Sequence, residues 1–133
     1  MKSLPRPLRG DAPVRHAVPW PVPTGWRWGT IAEVASVSSN LVDPATVPHL
    51  PHIAPNHIVS GRPRLLPYAT VEADGVKSPK HKFRPGQILY SKIRPYLRKA
   101  VLVDFAGVCS ADMYPMDVRC DPYFLLWWLL SPA

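Results

Sequence analysis

The chain has 133 residues, room for one domain or for part of a larger one, and 47% of them are hydrophobic, too many for a disordered chain. Its net charge of +7 favours an acidic partner without naming one. Cys109 and Cys120 sit outside any CxxC or Cys/His cluster, which excludes a disulfide framework, and the apolar run Phe124–Leu130 falls far short of the roughly 20 residues that cross a bilayer. With no secretory signal in the sequence, a reducing cytoplasm is the expected compartment.

Proline stands at 18 residues, well above an average of about 5%, and six prolines fall in residues 1–24. That stretch reads as an irregular, poorly ordered Pro/Arg-rich leader. Trp26 and Trp28 open the ordered part, and residues 25–133 are read as a single domain. Thr30 is placed to cap a short helix over Ile31–Ser36, with Glu33 at the third helical position as in a capping box. Residues 37–52, broken by Asp43-Pro44, Pro48 and Pro51, read as loops around a short strand. Ile53 and Ile58-Val59 flank Asn56, and Ser60-Gly61 signals a turn.

Short strands are predicted at Leu65-Leu66 and Tyr68–Val71, a turn at Asp74-Gly75 and a basic loop at Lys77–Lys82. Arg84-Pro85-Gly86 launches a strand over Gln87–Ile93 that Pro95 interrupts. Strands at Lys99–Phe105 and Val108–Met113, joined at Ala106-Gly107, complete a predicted antiparallel meander. Asp121 caps a closing helix, Tyr123–Leu130, apolar nearly all round and therefore in need of cover. The fold class expected is α+β: strand-rich and mixed, with short antiparallel strands and a C-terminal apolar helix. Ending at Ser131-Pro132-Ala133, directly after that helix, reads as an incomplete domain; the alternative is a helix that closes the core.

Charge is unevenly placed. Residues 62–99 carry ten Lys/Arg against Glu72 and Asp74, whereas residues 100–133 carry Arg119 against four Asp. The densest part runs from Tyr90 to Lys99, where Lys92, Arg94, Arg98 and Lys99 sit with Tyr90 and Tyr96, and no carboxylate intervenes between Asp74 and Asp104. As a strand, this segment would project Tyr90, Lys92 and Arg94 together, opposite Leu89 and Ile93. Such a face suits DNA phosphates or guanine edges. It equally suits an exposed strand whose lysines prevent edge pairing. The loop lysines Lys77, Lys80 and Lys82 suit phosphate contact or simple solvation.

Catalytic signals are thin. His49, His52 and His57 have the spacing H-x2-H-x4-H, but Pro51 and Pro55 prevent a helix from presenting them together, and a zinc site is a poor reading. Ser91 and Ser110 lack a G-x-S-x-G elbow, Cys109 reads as a small core residue, and Asp112 reads as a partner for a cation or a turn cap. There is no Walker A sequence, no G-x-G-x-x-G and no methyltransferase tetrapeptide; Asp121-Pro122-Tyr123-Phe124 lacks the second proline. The pair Trp127-Trp128 reads as core or subunit interface.

Several segments follow one another in a familiar order. They are Thr24-Gly25-Trp26-Arg27-Trp28, Ile31-Ala32-Glu33-Val34, Gly86-Gln87-Ile88-Leu89-Tyr90-Ser91-Lys92-Ile93-Arg94-Pro95-Tyr96-Leu97, Lys99, Cys109-Ser110-Ala111-Asp112-Met113 and the Tyr123–Ser131 helix. In them the stretch Gly25 to Pro132 resembles the target recognition domain of type I restriction–modification specificity subunits. The central motif is the most specific; the flanking ones are weak alone. The resemblance implies a non-catalytic module that reads double-stranded DNA. A full subunit of this family has two such domains on long helical spacers, each reading half of a split target. It joins modification subunits that use S-adenosylmethionine and a restriction subunit that uses ATP and magnesium, so no cofactor is expected on this chain. Against that pattern the sequence is expected to hold one such domain, without a spacer and without its last part.

The expected DNA-contacting residues are Asn56, Arg62, Arg64, Lys77, Lys80, Lys82, Arg84, Tyr90, Lys92, Arg94, Arg98 and Lys99. A motif shared by domains that read different sequences is a poor base reader. Base readout is therefore expected in the irregular stretch 40–82, and phosphate or scaffold roles in 90–99. The competing readings are an interaction fragment docking through Phe124–Leu130 and a small nucleic-acid-acting enzyme.

Overall fold

In the computed structural model, residues 21–131 are described, so the leader reading falls almost wholly outside the described residues. Three layers are stacked. A four-stranded sheet lies in the middle, in the order β1 (Ala35–Val37), β9 (Met113–Val118), β6 (Ile88–Ser91) and β7 (Ala100–Leu102), antiparallel throughout. On one face lies α3 (Pro122–Leu130), and on the other a second sheet. That sheet runs β2 (Leu41–Val42), β5 (Lys80–Phe83), β8 (Gly107–Cys109), β3 (Pro51–Ile53) and β4 (Ala69–Thr70), antiparallel except for the parallel pair β3–β8. Two further helices are single turns, α1 (Ile31–Val34) and α2 (Val71–Asp74).

Strand periodicity explains the layering. Successive side chains point to opposite faces, and in β6 both faces are apolar. Ile88 enters one core with Ala100, Met116, Leu125, Leu126 and Leu130, while Leu89 enters the other with Ile53, Phe83, Val101, Cys109 and Met113. Ile88 and Leu89 are both fully buried, each worth roughly 1.5–3 kcal/mol of burial. Both faces of the sheet are therefore covered, and β6 is hydrogen-bonded to β7 on one side and to β9 on the other.

The closing helix forms as expected. The Asp121 carboxylate accepts hydrogen bonds from the Tyr123 and Phe124 N–H groups at 2.9 and 3.4 Å, and Pro122 occupies the first turn, where its missing N–H costs nothing. One face buries Leu125, Leu126 and Leu130, while Tyr123, Trp127 and Trp128 are exposed. The hairpin from β6 to β7 and the left-handed Gly75 after Asp74 also match the expectation.

Other expectations need correction. The helix expected over Ile31–Ser36 ends at Val34, and the Thr30 side chain makes no cap bond. Glu33 pairs instead with Arg27 at 3.3 Å, and Ala35–Val37 gains a full antiparallel ladder against β9, which outweighs one more helical turn. Leu65 makes only an isolated bridge to Ile58. The strand expected over Tyr68–Val71 is two residues long, because the Thr70 hydroxyl accepts from the Ala73 N–H and starts α2 at Val71. The loop expected over Lys77–Lys82 becomes β5 from Lys80 onward.

The expected meander also fails at its third strand. Val108–Met113 is not continuous: the Ser110 hydroxyl accepts from the Asp112 N–H, and the Met113 N–H donates to the Ser110 carbonyl. The resulting turn throws β8 into one sheet and β9 into the other.

Candidate nucleic-acid interface

The segment joining β6 to β7 is the most constrained connection in the structure. The Ser91 N–H donates to the Lys99 carbonyl at 3.0 Å, closing its base. Within it Pro95–Leu97 makes a 3-10 turn, bracketed by Arg94 at φ 50° and Arg98 at φ 49°. Both lie in the left-handed region, where a side-chain-bearing residue costs of order 1 kcal/mol or more. They are the described non-glycine residues with positive φ. Regular strand alternation therefore stops at Ser91, and the expected common face of Tyr90, Lys92 and Arg94 does not form. Tyr90 is half-buried against the α3 core, and Ile93, expected to point inward, is exposed. Lys92 places its ammonium 4.5 Å from the centre of the Tyr114 ring, a cation–π contact.

A loop distant in sequence docks on this turn. The Lys99 ammonium donates to the Pro55 carbonyl at 2.9 Å, and the Gly61 N–H donates to the Arg98 carbonyl at 2.9 Å. The Ser60 hydroxyl donates to the Leu97 carbonyl. Gly61 has φ 72°, and a Cβ there would lie 3.3 Å from the Arg98 guanidinium. The loop is braced internally by Val59 N–H to Arg64 carbonyl and Leu66 N–H to His57 carbonyl, which leaves Asn56, Arg62 and Arg64 exposed. Arg98 and Lys99 are half-buried, and the Arg98 Nε is buried with no partner.

Strand register carries the other cations to the same end. Ile53, the last residue of β3, pairs with Cys109, the last of β8, and His81 near the start of β5 pairs with Cys109 too. Loops 54–68, 76–79 and 110–112 thus emerge together. Loop 110–112 is tied to the β6–β7 connection by the Lys92 N–H donating to the Asp112 carbonyl. Lys77 is exposed there. Lys80 is buried, its ammonium 2.8 Å from the Ser78 hydroxyl, so it does not present itself as a loop lysine would. Lys82 is exposed on β5, with its backbone held by Asn40.

Arg84 is not part of this end. It lies in the turn between β5 and β6 and pairs with Asp117 at 2.5 Å, which also accepts from the buried Gln87 at 3.0 Å. Nothing local in the sequence couples residues 84 and 117; they meet because β6 and β9 are neighbours in the sheet.

The titratable groups beneath the cluster are set by burial. Burial, and then the Lys92 charge, lowers the pKa of His81. Burial, and then His52, lowers that of His57, whose Nδ1 accepts from the Ala54 N–H at 2.9 Å. The Cys109 thiol is pushed up by burial to about 12, against the opposing effect of Lys80 and Lys92, so it is no nucleophile. His52 pairs with Asp74 at 2.7 Å and packs edge-on against His57. Among the described residues no group of three or more His, Cys, Asp or Glu could hold a metal, and no helix is long and apolar enough to cross a membrane.

No family model matches the chain. It is 46% identical over 110 residues to the type I restriction enzyme EcoDI specificity subunit of Escherichia coli, covering 83% of this chain and 25% of that protein. By sequence and by fold, the chain belongs with the specificity subunits of type I restriction enzymes. The fold comparison gives a TM-score of 0.68 to the HsdS subunit from Thermoanaerobacter tengcongensis, at 23% identity, over 81% of this chain and 30% of that one. A chain from a structure concerned with complex assembly and conformational transition of the type I R-M system gives 0.65 at 23% identity, over 85% of this chain and 31% of that one. The chain spans about a quarter of the length of the curated relative it matches.

Proposed function

We propose that this chain is the double-stranded-DNA-reading module of a type I specificity subunit, which recognises one half of a split target and directs partner subunits to it. The observation that carries this reading is the convergence of the exposed Arg62, Arg64, Lys77, Lys92 and Arg94, with half-buried Arg98 and Lys99, at one end of a specificity-subunit fold. Phosphates are met by the guanidinium and ammonium groups, which position the duplex. Bases are read from the irregular loop 54–66, where Asn56, Arg62 and Arg64 are exposed beside the rigid 92–99 turn. The reading needs no reaction on this chain. Methylation and cleavage belong to modification subunits using S-adenosylmethionine and to a restriction subunit using ATP and magnesium, all in the cytoplasm.

The test is selection of duplexes from a randomised pool by the purified chain at two salt concentrations. Enrichment of a short motif is expected, together with a log–log salt slope that falls by about 0.9 for each phosphate contact removed through Lys77→Gln, Lys92→Gln or Arg94→Gln. Binding without enrichment would refute half-site reading. A second reading is favoured by one observation: Tyr123, Trp127 and Trp128 are 63%, 58% and 52% exposed on α3. In that reading the chain docks on another subunit through this helix and binds DNA only in the complex; adding a modification subunit separates the two.

A further inference from the structure

We propose that Tyr96 is a DNA-contacting residue, an aromatic probe held at the tip of a rigid turn and laid against the sugars of the duplex backbone. The proposal rests on the DNA-reading function above and names a contact within it. Tyr96 is 75% exposed, more than any other large apolar side chain among the described residues. It stands at the tip of the Pro95–Leu97 turn, where Pro95 fixes its own φ and the carbonyls of Arg94 and Pro95 accept from the Leu97 and Arg98 N–H groups.

A hairpin connection of this length does not need two left-handed arginines; glycines would adopt that backbone freely. Here the strained residues are the ones that carry charge, and the turn is kept in place by Ser60, Gly61 and Pro55 from the docked loop. Strain that the surrounding structure over-determines, together with an exposed aromatic ring, points to a ligand contact. The flanking chemistry names the ligand. Arg94, the residue before the turn, is exposed. Tyr96 also lines a cleft of about 390 Å³ with Tyr90, Arg98 and Trp128. An exposed apolar ring beside the exposed cations Lys92 and Arg94 matches a duplex backbone, in which apolar sugars alternate with phosphates.

The test uses the whole chain and the enriched duplex. Tyr96→Ala is expected to weaken binding by about fivefold or more, as truncating an aromatic anchor at an interface does. The salt slope should stay that of the unaltered chain, because no charge is removed. Tyr96→Phe should bind within about twofold, because the ring makes the contact. Thermal unfolding of both variants should match the parent chain, since the side chain is exposed. Unchanged affinity of Tyr96→Ala, while Lys92→Gln still weakens binding, would overturn the role of Tyr96 and leave the DNA-reading function standing. Failure of the unaltered chain to bind any duplex would overturn both.

Discussion

Gly61 is where two parts of the candidate interface are stitched together, and Gly61→Ala tests that stitch. At φ 72° a methyl-bearing residue loses roughly 1–2 kcal/mol to the left-handed backbone. The stiffer unfolded chain offsets about 0.4–1 kcal/mol of this. The new Cβ would lie 3.3 Å from the Arg98 Nη2, the far end of a flexible side chain, so that contact adds little. The net expectation is a loss of about 1 kcal/mol, or a fall in Tm of roughly 3–4 °C for a chain of this size. Because the displaced group is Arg98, DNA affinity should fall as well, and Gly61→Asn should be milder, since Asn tolerates the left-handed region better. Calorimetry and duplex binding on the three proteins settle it. An unchanged Tm in Gly61→Ala would refute the reasoning, since it would mean that residue 61 is not held left-handed against Arg98.

Gly107→Ala should be much worse. Its Cβ would lie 2.7 Å from the Pro51 carbonyl oxygen and 2.8 Å from the buried Phe83 ring, so overpacking of about 1–3 kcal/mol or more is expected, read by denaturant titration. Arg84→Ala should leave duplex affinity within about twofold and stability within about 1 kcal/mol, because Arg84 lies at the far end in a surface pair. Acidification should destabilise the fold. The pKa values of His57 and His81 are lowered in the folded state, so the unfolded chain binds more protons, and stability present above the ordinary histidine value of about 6.5 is lost as pH falls below it. Urea unfolding at pH 7.5 and 5.5 should show that loss, and His57→Gln should make it smaller.

The features legible in the sequence are local. Asp121-Pro122 starts a helix because the cap and the first turn are built from adjacent residues, and Arg84-Pro85-Gly86 turns into an apolar strand because Gly86 adopts φ 90° freely. The family motif and the cationic excess of residues 62–99 were legible in the same way. The rest arises where residues far apart in the chain meet. A two- or three-residue strand has no measurable period, so β1 was read partly as helix until β9 supplied its partner, and the strand expected over Tyr68–Val71 was drawn too long for β4. The split of Val108–Met113 between two sheets, the burial of Lys80 and the capture of Arg84 by Asp117 each depend on strand order. The docking of Pro55, Ser60 and Gly61 on residues 97–99 is of the same kind, since it joins groups roughly forty positions apart whose meeting no local propensity encodes. Composition located the charge along the chain; register and layering decided which charges share a face.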